Sequence, residues 1–108
     1  MGFKINEKKI IDDAAMTTDI ISEVIDARPI YALGLYAKWG AGATGSMKFQ
    51  GSANGVDWFD LQTATAISGN AGEVTLALDG TPWLYVRAFY DFTSGTGALD
   101  VWLNSKGN

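Results

Sequence analysis

The stretch Gln50-Gly51-Ser52-Ala53-Asn54-Gly55-Val56-Asp57-Trp58 constrains this chain more than any other. It sets an Asn-Gly pair between two strand-like runs, the strongest short-range hairpin signal a sequence carries. Asn54 and Gly55 both tolerate positive φ, as a type I′ turn requires. Trp58 follows at once, with an indole that can fold back over a sheet. The pattern predicts an all-β chain with a turn at Asn54 and Gly55.

Period-two alternation recurs on both sides of that turn. Residues 30–39 put Tyr31, Leu33, Leu35, Ala37 and Trp39 on one face, and Ile30, Ala32, Gly34, Tyr36 and Lys38 on the other. Met47 and Phe49 point inward from 46–52, and Val74, Leu76 and Leu78 from 73–78. Residues 83–92 are the strongest strand. Leu84, Val86, Ala88, Tyr90 and Phe92 share one face; Trp83, Tyr85, Arg87, Phe89 and Asp91 share the other. Residues 98–103 are expected to pair back on that strand as a hairpin through Ser94-Gly95-Thr96-Gly97, with Leu99, Val101 and Leu103 inward. Residues 20–26 have a spacing that also fits a helix, but β-branched residues dominate and Pro29 closes the segment, so a strand is preferred. Residues 3–11 read as an arm or an edge strand. Residues 12–18, 40–45 and 63–72 read as loops.

The result is seven or eight short strands at about ten-residue spacing, the pattern of a β-sandwich or jelly roll. With 13 Gly and only 2 Pro in 108 residues, the composition suits tight turns rather than a Pro-rich linker. We expect one antiparallel sandwich over 16–108, preceded by an N-terminal arm over 1–15.

Composition excludes several chemistries. The chain has no Cys and no His. Disulfides, thiolate nucleophiles, Ser-His-Asp or Cys-His catalysis and His-ligated zinc are therefore out of reach. Net charge is −4 and no basic cluster exceeds Lys8-Lys9, which disfavours nucleic acid. No apolar run approaches the roughly 20 residues of a membrane span. Met1 to Asp13 is too charged for a signal peptide, so synthesis in a cytoplasm without export by the general route is expected. The expectation is a protein that is not an enzyme and takes no cofactor and no metal.

Three groupings invite a functional reading. Asn54, Asp57 and Asp60 offer oxygen ligands for calcium, but two carboxylates and an amide fall short of a coordination sphere, and Asx side chains commonly brace their own turns. Asp91 and Asp100 would face one another across the expected last hairpin beside Arg87, where cross-strand charge pairing outweighs acid–base chemistry. The aromatics Trp39, Trp58, Trp83, Tyr85, Phe89 and Trp102 fit a protein interface, a core, or a sugar-stacking platform. A strand apolar on both faces must be covered on both, and a short chain has few elements to do so. A partner subunit is the economical cover. Trp83, Tyr85, Phe89, Trp102 and Trp39 are therefore the interface candidates. Trp58, Asn54 and Asp57 are the candidates for a carbohydrate alternative.

Two resemblances add to this. Ser52-Ala53-Asn54-Gly55-Val56-Asp57-Trp58 resembles the S-x-D-G-x-x-W hairpin of discoidin-like, galactose-binding sandwiches, with Asn54 in place of the usual Asp. More widely, residues 30–106 join that hairpin to Leu84-Tyr85-Val86-Arg87-Ala88 and Ser94-Gly95-Thr96-Gly97-Ala98-Leu99, ending at Lys106. This resembles small structural proteins of tailed-phage head and tail modules. The resemblance implies a virion component: a capsid decoration (cement) protein, or a head-fibre or tail-associated domain. It implies capsid or sister subunits as partners, a homo-oligomer, and an arm that orders on assembly. The alternative is a carbohydrate- or receptor-binding module of a fibre or tail.

Overall fold

The computed structural model describes residues 4–27, 30–79 and 85–107. Every regular element in it is a strand: β1 (Lys4–Ala15), β2 (Ile20–Ile21), β3 (Ile25–Asp26), β4 (Ile30–Trp39), β5 (Ala43–Ser52), β6 (Phe59–Asp60), β7 (Thr65–Ser68), β8 (Gly72–Asp79), β9 (Tyr85–Gly95) and β10 (Ala98–Gly107). No helix among the described residues is long and apolar enough to cross a membrane.

The strands form two antiparallel sheets. One has the order β1-β10-β4-β8. The other runs β2-β9-β5-β6, with β3 also on β9 and β7 also on β5. Each flanking pair, β2 with β3 and β6 with β7, is one interrupted strand along the same neighbour. Counted that way the ten strands become eight, with orders 1-8-3-6 and 2-7-4-5. The all-β sandwich expected from the sequence is the observed architecture.

The inward rows are those that alternation assigned. Leu33, Leu35, Ala37 and Trp39 of β4, Leu99, Val101 and Leu103 of β10, Val86, Ala88 and Tyr90 of β9, and Met47 and Phe49 of β5 are all buried. Val74, Leu78 and Phe92 pack on their margin. Tyr90 is fully buried yet satisfied, its hydroxyl donating to the Thr44 carbonyl at 3.0 Å.

Four expectations are revised. First, β9 and β10 lie in different sheets, so residues 98–103 do not pair back on 83–92 as a hairpin. The connection crosses between layers at Gly95, whose φ is 94° and where a Cβ would lie 2.1 Å from the Gly42 carbonyl oxygen. Only glycine fits that crossing. Second, of the two readings of the N-terminal segment, residues 4–15 take the edge strand, in register with β10 from Lys4↔Gly107 to Ala15↔Ala98. Third, the expected loops carry structure. Thr65–Ser68 is a strand that buries Ile67, and Met16 is fully buried beyond the end of β1.

Fourth, the turn at 54–55 is not type I′. Gly55 has φ 79°, but Asn54 is not in the positive-φ region. The side chains close the loop instead. The buried Ser52 hydroxyl accepts from the backbone N–H of Asn54 (3.2 Å) and of Gly55 (2.8 Å). Asn54 Oδ1 accepts from the N–H of Val56 (2.8 Å) and Asp57 (2.9 Å). These bonds hold a wider connection, 53–58, than a two-residue turn.

Candidate functional site

Among the described residues, both outer sheet faces carry polar and aromatic side chains. On β9, Arg87, Phe89 and Asp91 alternate with the buried row and therefore point outward. Register sets Gln50 beside Arg87, Lys48 beside Phe89 and Ser46 beside Asp91. Arg87 Nε donates to Gln50 Oε1 at 2.9 Å, and Gln50 Nε2 donates to Asp60 Oδ1 at 3.1 Å. The guanidinium carbon lies 4.2 Å from the Trp58 ring centroid and 5.9 Å from that of Phe89. Lys48 Nζ sits 5.6 Å from the Phe89 ring and 3.4 Å from Asp91 Oδ2. Desolvation under this cover lowers the Arg87 pKa. The stack Trp58–Arg87–Phe89–Lys48 is a continuous band of cations on aromatic faces.

Apolar side chains flank that band. Ile21 on β2 lies beside Phe89 in register and is 54% exposed; Val24, between β2 and β3, is 50% exposed. Val56, in the loop after β5, is 76% exposed; Phe59 is 38% exposed at the margin of the inward face, where it pairs with Gly51 in the row of Val86. These four are the exposed large hydrophobics among the described residues, and all belong to this sheet or its loops.

The opposite outer face differs. Trp102 of β10 stacks on Tyr36 of β4 at 5.3 Å with 24° between planes, and Lys9 Nζ lies 5.0 Å over the indole. Lys9 pairs with Asp12 (2.9 Å) and Asp100 (3.0 Å), which raise its pKa. Asp100 Oδ1 accepts the Asp13 N–H at 2.7 Å, the leading reason its carboxyl sits below the ordinary 3.8. Tyr36 donates its hydroxyl to Glu73 Oε2 at 2.5 Å, which pushes the phenol pKa up. An open cleft of about 290 Å³ lies beside this pair, lined by Tyr36, Lys38, Trp39, Ala71, Gly72 and Glu73. This face is a laced polar–aromatic ladder, with no large exposed apolar side chain among the described residues.

The interface candidates therefore do not form one surface. Tyr85 and Phe89 lie on the β9 sheet and Trp102 on the other outer face. Trp39 is a core residue, 5% exposed, its Nε1 donating to the Asn70 carbonyl at 3.2 Å. The interface reading fails for it because it shares the inward face of β4. Trp83 lies outside the described residues.

The sugar candidates Trp58, Asn54 and Asp57 do share one loop. Asn54 Nδ2, however, donates to Asp57 Oδ2 at 3.0 Å, and Arg87 lies over the indole of Trp58. Asp91 and Asp100 sit on opposite sides of the sandwich, because β9 and β10 belong to different sheets. Sequence reasoning missed Ile21, Val24 and the Gln50–Asp60 bridge. The Ile20-Ile21 doublet was the available signal, since adjacent residues of a strand must face opposite ways.

No family model matches the chain, and no curated protein matches it in sequence. Solved structures that share its fold include two of nearly the same length. One is the SPBc2 prophage-derived protein YomS, at 13% identity and TM-score 0.62, over 97% of this chain and 96% of that one. The other comes from Bacillus endospore appendages, described as a novel family of disulfide-linked pili, at 11% identity and TM-score 0.56, over 100% of this chain and 93% of that one. At such identities the likeness is one of fold.

Proposed function

We propose that this chain is a non-enzymatic phage virion structural protein, a jelly-roll capsid decoration protein that docks through the outer face of the β9 sheet. The observation that carries the reading is the asymmetry between its two outer faces. Ile21 lies beside Phe89 at the Trp58–Arg87–Phe89–Lys48 band and Val24 is exposed on the same edge, whereas the other side is laced by ion pairs and shows no large exposed apolar side chain among the described residues. An apolar patch rimmed by polar groups is the usual mark of an interaction surface. The strand orders 1-8-3-6 and 2-7-4-5 in two four-stranded layers support the jelly-roll reading, an architecture used in viral capsids and lectins. The likeness to a prophage-derived protein over nearly the whole of both chains supports the phage context.

A disulfide-linked fibre of the kind named for the spore appendages is closed to a chain without cysteine. The sugar-platform reading is weaker, because cations already lie over Trp58 and Trp102. Repetition by capsid symmetry would let a modest single-site affinity suffice.

The test is co-sedimentation with expanded, undecorated capsids, using Phe89→Asp and Ile21→Asp against Thr75→Asp on the other sheet. Loss of binding by the first two alone supports the reading. Undiminished binding by both would end it. Light scattering on the free protein checks the companion proposal of self-association, which a strict monomer at high concentration would refute.

A further inference from the structure

The loop that carries Trp58 holds an Asn-Gly pair inside a set of side-chain hydrogen bonds. Asparagine followed by glycine is the pair in which a backbone nitrogen most readily reaches a side-chain amide, because glycine puts no Cβ in the way. Asn54 and Gly55 are exposed to the water such a reaction needs. Yet every atom the reaction uses is held. Gly55 N, the nucleophile, spends its proton on Ser52 Oγ at 2.8 Å. Asn54 Oδ1 accepts from Ser52 Oγ (3.1 Å) and from the N–H of Val56 and Asp57. Asn54 Nδ2, the leaving group, donates to Asp57 Oδ2 at 3.0 Å. The carboxamide cannot turn its face toward Gly55 N without breaking these bonds.

The geometry points to Asn54 as a deamidation site that Ser52 and Asp57 keep closed while the loop is intact. On opening, Gly55 N bonds to Asn54 Cγ, the Cγ–Nδ2 bond breaks, and ammonia leaves with the proton from Gly55. Water then opens the cyclic imide to aspartate or isoaspartate. The product cannot relatch. Where Nδ2 donated to Asp57, a carboxylate now faces a carboxylate, and like charges repel. Trp58 is the next residue, so the change loosens the indole from Arg87. Chemical ageing at one amide thus reaches the outer face of the β9 sheet. The site itself rests on the loop geometry and is independent of what that face binds.

The experiment compares deamidation of the folded protein with that of the same chain unfolded in urea, at mildly alkaline pH. Trypsin releases residues 49–87 as one peptide, and fragment masses assign the gain to Asn54 or to Asn70, an internal reference followed by alanine. With several hydrogen bonds to break before ring closure, the folded rate at Asn54 should be roughly a hundredfold below the unfolded rate. Asp57→Ala removes only the leaving-group contact at an exposed position, and should speed the folded rate about five- to tenfold. Ser52→Ala should speed it further. Circular dichroism confirms that each variant is folded, and if Ser52→Ala is not, Asp57→Ala decides. Equal folded and unfolded rates, or a folded Asp57→Ala that ages no faster than the parent, would overturn the latch.

Discussion

Deleting residues 1–15 should destabilise the whole sandwich, not trim an appendage. β1 pairs with β10 through nine registered positions, and its removal leaves the ten-residue β10 as a bare edge. Lost ladder bonds are largely offset by the released entropy of the strand, since each net bond is worth only about 0.5–1.5 kcal/mol and each ordered residue costs about 1–2. The apolar term decides. Ile11 is 6% exposed, and Ile10 and Ala14 pack against the core. Uncovering them, and the β10 row they shield, costs about 3–5 kcal/mol at about 25 cal/mol per Å². A domain of this size has about 5–15 kcal/mol in all and loses about 4–8 °C per kcal/mol. The melting midpoint by circular dichroism should therefore fall by more than about 10 °C, and size-exclusion chromatography should show association through the exposed edge. A truncated chain that melts within a few degrees of the parent and elutes as the parent does would refute this. It would mean that β1 is docked on a sandwich complete without it.

Gly95→Ala should cost about 3 kcal/mol or more in urea unfolding, since its Cβ would strike the Gly42 carbonyl oxygen at 2.1 Å on a backbone with φ 94°. Gly69→Ala, with φ 87° but open space around the new methyl, should cost only about 1–2 kcal/mol, and equal costs would deny the steric part. Tyr90→Phe leaves the Thr44 carbonyl without its donor and should lower stability by about 1 kcal/mol; no change would mean that water substitutes freely. The Asp100 carboxyl is depressed below 3.8, first by the Asp13 N–H and then by Lys9. A depressed folded pKa stabilises above the unfolded value, and that contribution is lost as pH falls through the folded one. Asp100→Asn should flatten the loss of stability below about pH 3.8, and parallel acid curves would refute the assignment.

The inward rows were legible because a pleated strand has a period of two, and Leu33, Met47, Leu76, Val86 and Val101 each fell where alternation put them. What alternation cannot encode is the sheet that a strand joins. β9 and β10 follow one another through a Gly-rich link, the pattern of a hairpin, but Gly95 and Gly97 at φ 94° and 133° carry the chain to the other layer instead. β1 hid for a related reason. Its charged positions and register shifts at Lys9/Ile11 and Ile11/Ala14 are features that keep an edge strand from pairing with strangers, and in sequence they resemble an unstructured arm. Position 54 misled because Asn tolerates positive φ; its side chain was wanted for hydrogen bonds, not for its backbone freedom.

On alternation alone, a strand apolar on both faces requires a second protein layer over Phe89 and its neighbours. The outer row is already partly covered from within, by Arg87 between Trp58 and Phe89 and by Lys48 over Phe89. Trp102 receives the same treatment from Lys9. Long cationic side chains lay their stems on aromatic surface and keep their charge toward water, so aromatic rows alone do not demand a partner. What distinguishes the two faces is the residue that no cation reaches. Glu73, Asp100 and Asp12 complete the ladder around Tyr36 and Trp102, whereas Ile21 stands beside Phe89 more than half exposed and Val24, between β2 and β3, is half exposed. Replacing those two aliphatics should thus disturb docking more than replacing Trp102 on the other face, and should leave the fold, which does not bury them, intact.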